Sequence, residues 1–433
     1  MVKFKKSTKN NVKFIDSDKL YESLLDKSSL LVKIHDLVDF DYFRPVLEPL
    51  YSDFGQHAHD CLLMFKLNLL QVLKNGLSDR EVISQSKTNL EYRYFLDLSI
   101  DDPLPHFTKV GDFRSRVGDV KFGELFDYFV DMLKKNNIIT DDEVRYMDAT
   151  HQLADVSIVS INSLLASACK ESIKVLDDSG FKADVDLNVK DFRLSENQKK
   201  ERFVELVKLA NRLKDVLCRH PNFSTDKKII ESYDTLCRII KERSTTKNDK
   251  IIKKNSDDKG KLASIVDKDA TWGSKSKDYQ FLGYKHNVTA VESGFIEVIS
   301  THQGHKGDEE FYIEDAKKSS AKKIVTDAKY STLDNRKKSK KMNKQLVSPC
   351  RKNMKAHLKH KTMDEALIYN TTNKYTTEMK KRGHVIEGIF GVAKTVHNFT
   401  RTKYRGIKKV AIQAKITAFA INLKALVKWY EAA

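Results

Sequence analysis

Cysteine is scarce and scattered. Cys61, Cys169, Cys218, Cys237 and Cys350 lie far apart with no C-x-x-C pair. That excludes a disulfide framework and a zinc knuckle, and it fits a reduced, intracellular chain. Only 6 prolines and 16 glycines occur in 433 residues, which argues for long helices and against an all-β fold. A long uninterrupted apolar run is also missing. Residues 410–427 come nearest, but Lys415 and Lys424 break them, so they read as an amphipathic helix and no membrane contact is expected. The opening MVKFKKSTKNNVKF is basic with no apolar run behind it, so no signal peptide is expected.

What the chain has in excess is positive charge. Lys and Arg number 78 against 60 Asp and Glu, a formal net charge of +18. A surplus of that size favours a polyanionic partner, nucleic acid first and an anionic membrane surface second. The plain alternative is a composition rich in lysine for other reasons. With 40% hydrophobic and 32% charged residues, the chain is long enough for two or three domains and a sizeable core.

Residues 1–29 are polar and read as a flexible arm. From 30 to 140 the pattern is helical, an N-terminal domain of amphipathic helices. Residues 57–74 carry Leu62, Phe65, Leu69 and Val72 at helical spacing, and 120–138 carry Phe122, Leu125, Phe126, Phe129, Val130 and Leu133. Between them, Asn75-Gly76 ends one helix, and Ser78-Asp79-Arg80-Glu81 forms a capping box that starts the next. Helix, short turn and capped helix suits helix-turn-helix DNA binding, and it is equally the commonest way to join two helices. At 142–158 the period changes to a strand pattern around Asp148. A charged helical block at about 160–262 reads as an insertion between parts of one sheet. Residues 278–301 read as a β-hairpin turning at Glu292-Ser293-Gly294, and 321–331 and 344–350 as further short strands. The end is helical again, over about 380–396 and 408–430.

Three acidic residues stand out. Asp148 lies in the strand pattern MDAT, Asp327 at the end of IVTDAKY, and Glu387 near the start of a helix followed by cations. Carboxylates are disfavoured on strands, so two among apolar, β-branched neighbours need a reason. A strand-end cap or a salt bridge to a nearby lysine is the plain one. The sharper one is a set that gathers at a sheet edge to hold two Mg²⁺ ions about 3.5–4 Å apart for phosphoryl transfer. Mn²⁺ would serve in their place.

Read together, these segments resemble DDE transposases of prokaryotic insertion sequences. The resemblance rests on MDATHQLAD, DKDATWGSKSKDYQFLGYKHN (267–287), IVTDAKYSTLDNR, RGHVIEGIFGVAK and RTKYRGIKKVAIQAKITAFAINLKAL, with NGLSDREV and FRSRVG near the start. It implies an α/β fold: a ribonuclease-H-like mixed sheet flanked by helices, over 141–433, with an N-terminal all-helical DNA-binding domain and the helical insertion. It also implies metal-dependent cleavage at element ends and strand transfer of a 3′ hydroxyl, with Asp148, Asp327 and Glu387 as metal ligands. A transposase-derived protein that binds DNA without catalysis is the alternative, and the presence of all three acids argues against it.

The family often carries a Tyr, an Arg and a Lys around the glutamate. Here Arg382 precedes Glu387 and Lys394 follows by seven residues, two turns along one helix face. Tyr375 stands further upstream than in the tightest form of that pattern. Lys394 is expected beside the metals, and Arg401, Lys403, Arg405, Lys408 and Lys409 as a grip on the phosphate backbone. Lys275, Lys329 and Arg382 are further DNA-contact candidates, and Tyr330 is a base-stacking candidate with core packing as its equal alternative. His286 is either core or DNA contact, and His302 with His305 lacks the partners of a zinc site. The resemblance further implies double-stranded DNA as partner, a homo-oligomer with a dimer favoured, and a cytoplasmic, nucleoid-associated location.

Overall fold

A computed structural model describes residues 17–52, 58–181, 195–254, 257–276, 278–350 and 361–432. Residues 1–16, most of the expected arm, and His57, the expected start of a helix, lie outside the described residues. The rest of the arm is not loose. Residues Ser17–Leu24 form α1, whose Tyr21 hydroxyl donates to the Leu98 carbonyl at 2.6 Å. Helices α2 (Leu30–Leu37), α3 (Arg44–Leu47), α4 (Cys61–Leu73), α5 (Asp79–Ser86), α6 (Leu90–Phe95) and α7 (Thr108–Lys135) follow. The turn between α4 and α5 is built as its residues demand. Asn75 and Gly76 take φ of 57° and 75°, and Ser78 and Glu81 exchange both capping-box bonds. In α7, Gly118 at φ 69° makes a kink, after which Phe122, Leu125, Phe126, Phe129, Val130 and Leu133 all point inward.

The sheet begins with β1 (Arg145–Leu153). An insertion then supplies α8 (Ile161–Asp178), α9 (Glu196–Cys218), α10 (Lys227–Arg243) and a hairpin of β2 (Ser244–Lys247) with β3 (Lys250–Lys253). Its helices bury a core of their own, including Leu165, Phe203, Leu213 and Leu236. The chain returns through β4 (Thr271–Ser274), β5 (Gln280–Ala290), β6 (Ile296–Gln303), α11 (Tyr312–Lys318), β7 (Lys323–Val325), α12 (Leu333–Lys341) and β8 (Gln345–Val347). It ends in α13 (Lys361–Asn370), α14 (Asn373–Val396) and α15 (Ile407–Ala432). The sheet runs β6-β5-β1-β7-β8, with β4 on the far end of β5. β6, β5 and β1 pair antiparallel, and β1, β7 and β8 pair parallel with helices as crossovers. This is the ribonuclease-H-like arrangement the resemblance implies.

The N-terminal helices and the sheet share one core, joined by α15. Its Phe419 ring lies 5.3–5.9 Å from the rings of Phe43, Phe65, Phe126 and Phe129. On its other side Asn422, fully buried, makes two bonds to the Ile296 backbone of β6, at 2.7 and 2.9 Å. By length and composition α15 is apolar enough to cross a membrane, but most of it is buried here. Its apolar surface is spent on two faces of the same fold.

Beneath the sheet lies a buried ion pair. Arg145 of β1 donates from Nε to Glu297 of β6 at 2.8 Å, and Glu297 also accepts from Lys134, Ser319 and Ser320. Arg145 satisfies the Glu143 and Thr140 carbonyls with its remaining nitrogens. These donors, Arg145 first, hold the Glu297 carboxyl well below the usual carboxylate range despite its burial. Breaking a buried pair leaves an uncompensated charge, so Glu297→Ala is expected to cost ~3–5 kcal/mol in chemical denaturation. Because the folded-state value is depressed, this contribution is whole above about pH 4.5 and is lost as pH falls below it. Wild-type stability should therefore fall more steeply from pH 5 to pH 3 than that of Glu297→Gln.

Candidate active site

Strand register brings the first two carboxylates level. In the parallel pair, Tyr146 of β1 sits opposite Val325 of β7. Asp148 and Asp327 each lie two residues beyond that pair, and side chains two apart on an extended chain share a face. Tyr146 and Val325 belong to the core that also takes Val385, Ile386 and Ile389 of α14. The helix therefore covers that face of the sheet, and Glu387, on its exposed side, reaches the end where the two aspartates emerge. Asp148, Asp327 and Glu387 line one cleft of about 530 Å³, together with His151, Lys275, Lys285, Asp308, Lys329 and Lys394.

Each carboxylate has a different setting. Asp148 is mostly buried. Burial, with Asp327 and Asp308 nearby, pushes its carboxyl up to about 6 even though Arg382 opposes the shift. Arg382 donates to Asp148 Oδ2 at 2.5 Å, and the Ala149 N–H donates to Oδ1. Asp327 caps the turn after β7 by accepting from the Lys329 N–H at 2.8 Å. Glu387 is exposed to the cleft. Among the described residues, no three acidic, histidine or cysteine side chains already stand close enough together to hold an ion. The donor set nonetheless fits a hard, oxygen-seeking cation: three carboxylates on one cleft, one of them buried among like charges.

The G-Y-K-H-N run of β5 frames the site. A Cβ on Gly283 would lie 2.0 Å from the Gln152 carbonyl of β1, so only glycine lets the strands close here. The Tyr284 hydroxyl donates to Asp267 at 2.6 Å. Lys285 donates to Asp308 at 2.8 Å. His286 is fully buried between Thr301 and Gln152, a core residue and not a DNA contact, and burial pushes its ring down to about 3. Asn287 donates to Asp315 and accepts from the Tyr330 hydroxyl, both at 2.6 Å.

That last bond corrects an expectation. Tyr330 is 0% exposed, with its ring packed against Met147 and Ile324, so it cannot stack on a base. The turn after Asp327 rotates the aromatic under the sheet, where it props up the strand ends from below. Asp308 went unnoticed in the sequence. It begins a single 3-10 turn, too short to show a period, and its partners Lys285 and Lys329 lie about twenty residues away on either side.

The DNA-contact candidates separate into groups. Lys394 and Lys275 line the cleft, and burial with nearby Lys275 lowers the proton affinity of Lys394. Lys329 lines it too, paired with Asp308 at 3.0 Å. Arg382 is held by Asp148. Arg401, Lys403 and Arg405 are exposed but make bonds within the chain, to the Ala154 carbonyl, the Leu77 carbonyl and Asp155. They fasten the α14–α15 connection to β1 and to the α4–α5 turn. Lys408 and Lys409 project from the start of α15 and are exposed. His302 and His305 bond separately to Ser300 and Thr271. Tyr375 packs edge-on to Tyr369 beside the core.

Other quoted segments meet around the same connection. Asp79 of NGLSDREV pairs with Arg114 of FRSRVG at 2.6 and 2.9 Å, and the Arg114 guanidinium lies 4.8 Å from the Tyr404 ring. Asp267 and Asp269 accept from the Gly406 and Ile407 N–H groups at the start of α15. Comparison with protein families matches residues 19–116 to a transposase domain (DUF772) and residues 320–427 to a transposase DDE domain. No curated protein and no solved structure matches the chain. The second match contains Asp327 and Glu387. Asp148 lies between the two matched stretches and is brought in by the pairing of β1 with β7.

The Asp148 setting has a measurable consequence. Its folded-state value lies above its ordinary 3.8, so the ionised carboxylate costs stability at neutral pH, and the cost disappears as pH falls toward 3.8. Without metal, Asp148→Asn is expected to raise unfolding free energy above pH 6 by up to ~3 kcal/mol. The gain should vanish near pH 3.5. Thermal melts of both proteins in a chelator, across that range, check it.

Proposed function

We propose that this chain, which belongs to the DDE transposases of insertion-sequence type, cuts DNA at the ends of its element and joins the freed 3′ hydroxyl to target DNA. The reading is supported by one observation above the others. Three carboxylates from β1, the end of β7 and α14 open on a single cleft that Lys275, Lys329 and Lys394 also line. Acids for a cation and ammonium groups for a phosphate, side by side in one cleft, are what phosphoryl transfer needs.

Asp148, Asp327 and Glu387 would hold two Mg²⁺ ions, or Mn²⁺ in their place. When bound, these supply activation of the attacking oxygen and neutralise charge on the leaving one. Asp148 is fixed in paired β1 and Asp327 in the turn that ends β7, while Glu387 rides on a packed helix, so the set would close by side-chain rotation and release of Arg382. Freed from Asp148, the Arg382 guanidinium is available to a phosphate oxygen. Lys394 and Lys275 bind phosphate oxygens as point charges and orient the strand. His151, which burial and neighbouring lysines push down to about 4, stays neutral and takes no proton at working pH. In the first step water adds to phosphorus and the bond to the 3′ oxygen breaks, leaving a 3′ hydroxyl. In the second that hydroxyl adds to a target phosphorus and displaces another 3′ oxygen.

Double-stranded DNA is the substrate in this reading. A dimer that pairs two ends, working at the nucleoid, is the corresponding assembly. The test is cleavage and joining of labelled duplexes cut from the DNA flanking the coding region, with Mg²⁺ or Mn²⁺. Asp148→Ala, Asp327→Ala and Glu387→Ala should each lower cleavage by ~10³-fold or more, since each removes several kcal/mol of transition-state stabilisation. Duplex affinity in chelator should stay within about threefold of wild type, because the phosphate contacts come from lysines. Joining at the wild-type rate by any of the three variants would exclude this function.

A further inference from the structure

The cleft has a fourth carboxylate, and its surroundings differ from those of the other three. Asp308 is 5% exposed and carries a lysine on each oxygen. Lys285 Nζ donates to Oδ1 at 2.8 Å and Lys329 Nζ to Oδ2 at 3.0 Å. The two lysines are not equivalent. The Lys285 side chain is 12% exposed and its ammonium also donates to the Lys306 carbonyl at 2.8 Å. It is fully engaged, and its charge cancels that of Asp308. The Lys329 side chain is 52% exposed, and Asp308 is its one ion-pair partner among the described residues. One positive charge is therefore left over, and it sits on the exposed lysine. That ammonium lies near enough to Asp327 and Asp148 to feel both.

Asp308 does not resemble a metal ligand in this arrangement, because both oxygens are already taken by cations. Nor is it a simple structural bridge. Lys285 alone would neutralise it, and a flexible, half-exposed lysine gains little from one more surface ion pair. What the pair does achieve is direction. A free lysine side chain samples many rotamers, and a buried carboxylate fixed by β5 confines this one to the rim where Asp148 and Asp327 emerge.

We propose that Asp308 is a positioning residue. Anchored by Lys285, it holds the Lys329 ammonium against the phosphate that is cut, with Lys329 making the contact. This rests on the DDE reading above. It goes beyond that reading in assigning a role to a residue outside the three acids and in giving Lys329 a fixed place in the transition state rather than along the DNA path.

The experiment is a double-mutant cycle on cleavage of the labelled flanking-DNA duplex by the full chain. Asp308→Asn and Lys329→Gln should each lower kcat about 10- to 100-fold with KM changed less than about threefold. The double variant should be no slower than the slower single one, since removing the anchor already disables the lysine. Lys329→Arg should recover part of the rate in wild type and none in the Asp308→Asn background. Mn²⁺ affinity, read by electron paramagnetic resonance without DNA, should be unchanged within about twofold in Asp308→Asn. Losses that multiply in the double variant, or wild-type rates in Lys329→Gln, would overturn the proposal. Weakened Mn²⁺ binding in Asp308→Asn would overturn it by making Asp308 a metal ligand. Lys329 is half exposed, so Lys329→Gln folds whether or not Asp308→Asn does, and its rate alone can refute the idea. Wild-type cleavage that Asp148→Ala abolishes, with Asp308→Asn and Lys329→Gln unaffected, would remove this proposal and leave the DDE reading standing. No cleavage by wild type would remove both.

Discussion

Two parallel strands, β1 and β7, pair through Arg145 with Ile324 and Tyr146 with Val325, and the chemistry of the cleft depends on that register. A slip of one residue would send Asp148 to the opposite face of the sheet from Asp327 and bury it against Tyr312. Several interactions guard against the slip. Below the pair, Arg145 is locked to Glu297. Beside it, Gly283 lets β5 approach β1 where any side chain would collide with a carbonyl. Under the strand ends, Tyr330, Asn287 and Asp315 form a chain of hydrogen bonds between the turn after β7, β5 and α11. The paired strands thus fix the backbone of Asp148 and of the strand end that leads to Asp327, while Glu387 and Arg382 come from a helix.

The same economy governs the larger architecture. The N-terminal helices do not hang from the six-stranded sheet as a separate body. Helix α15 packs Phe419 into the one and bonds Asn422 to the other. The α14–α15 connection is fastened on both sides, to β1 through Thr400 and Thr402 and to α4 through His397 and the Val72 carbonyl. Glu387 therefore sits on a helix whose far end is pinned to the helical region. That region and the cleft are coupled through packed elements rather than through a linker.

How far the sequence revealed this follows from what each signal depends on. Asp148 and Asp327 were visible because a carboxylate breaks the apolar pattern of a strand, and Glu387 because it precedes a crowd of cations. The insertion was visible because its helices are amphipathic enough to close their own core. Pairing geometry was not visible in advance. Tyr330 faces inward because of a turn that no local pattern announces, and Asp308 opens a single 3-10 turn and finds its partners in two other segments. The bond between Arg382 and Asp148 was not legible, since only the fold brings the two together across more than two hundred residues. Arg401, Lys403 and Arg405 read as a grip on the phosphate backbone, and their bonds within the chain were not legible because the carbonyl and carboxylate partners are distant in sequence.

The central claim is that Asp148, Asp327 and Glu387 close around a divalent ion that displaces Arg382. Anomalous X-ray scattering from crystals grown with saturating Mn²⁺ and an element-end duplex measures this directly. The account predicts a manganese peak in the cleft with oxygens of all three carboxylates as ligands and Arg382 withdrawn from Asp148 toward the DNA. An intact Arg382–Asp148 pair with no manganese between the three acids would contradict it.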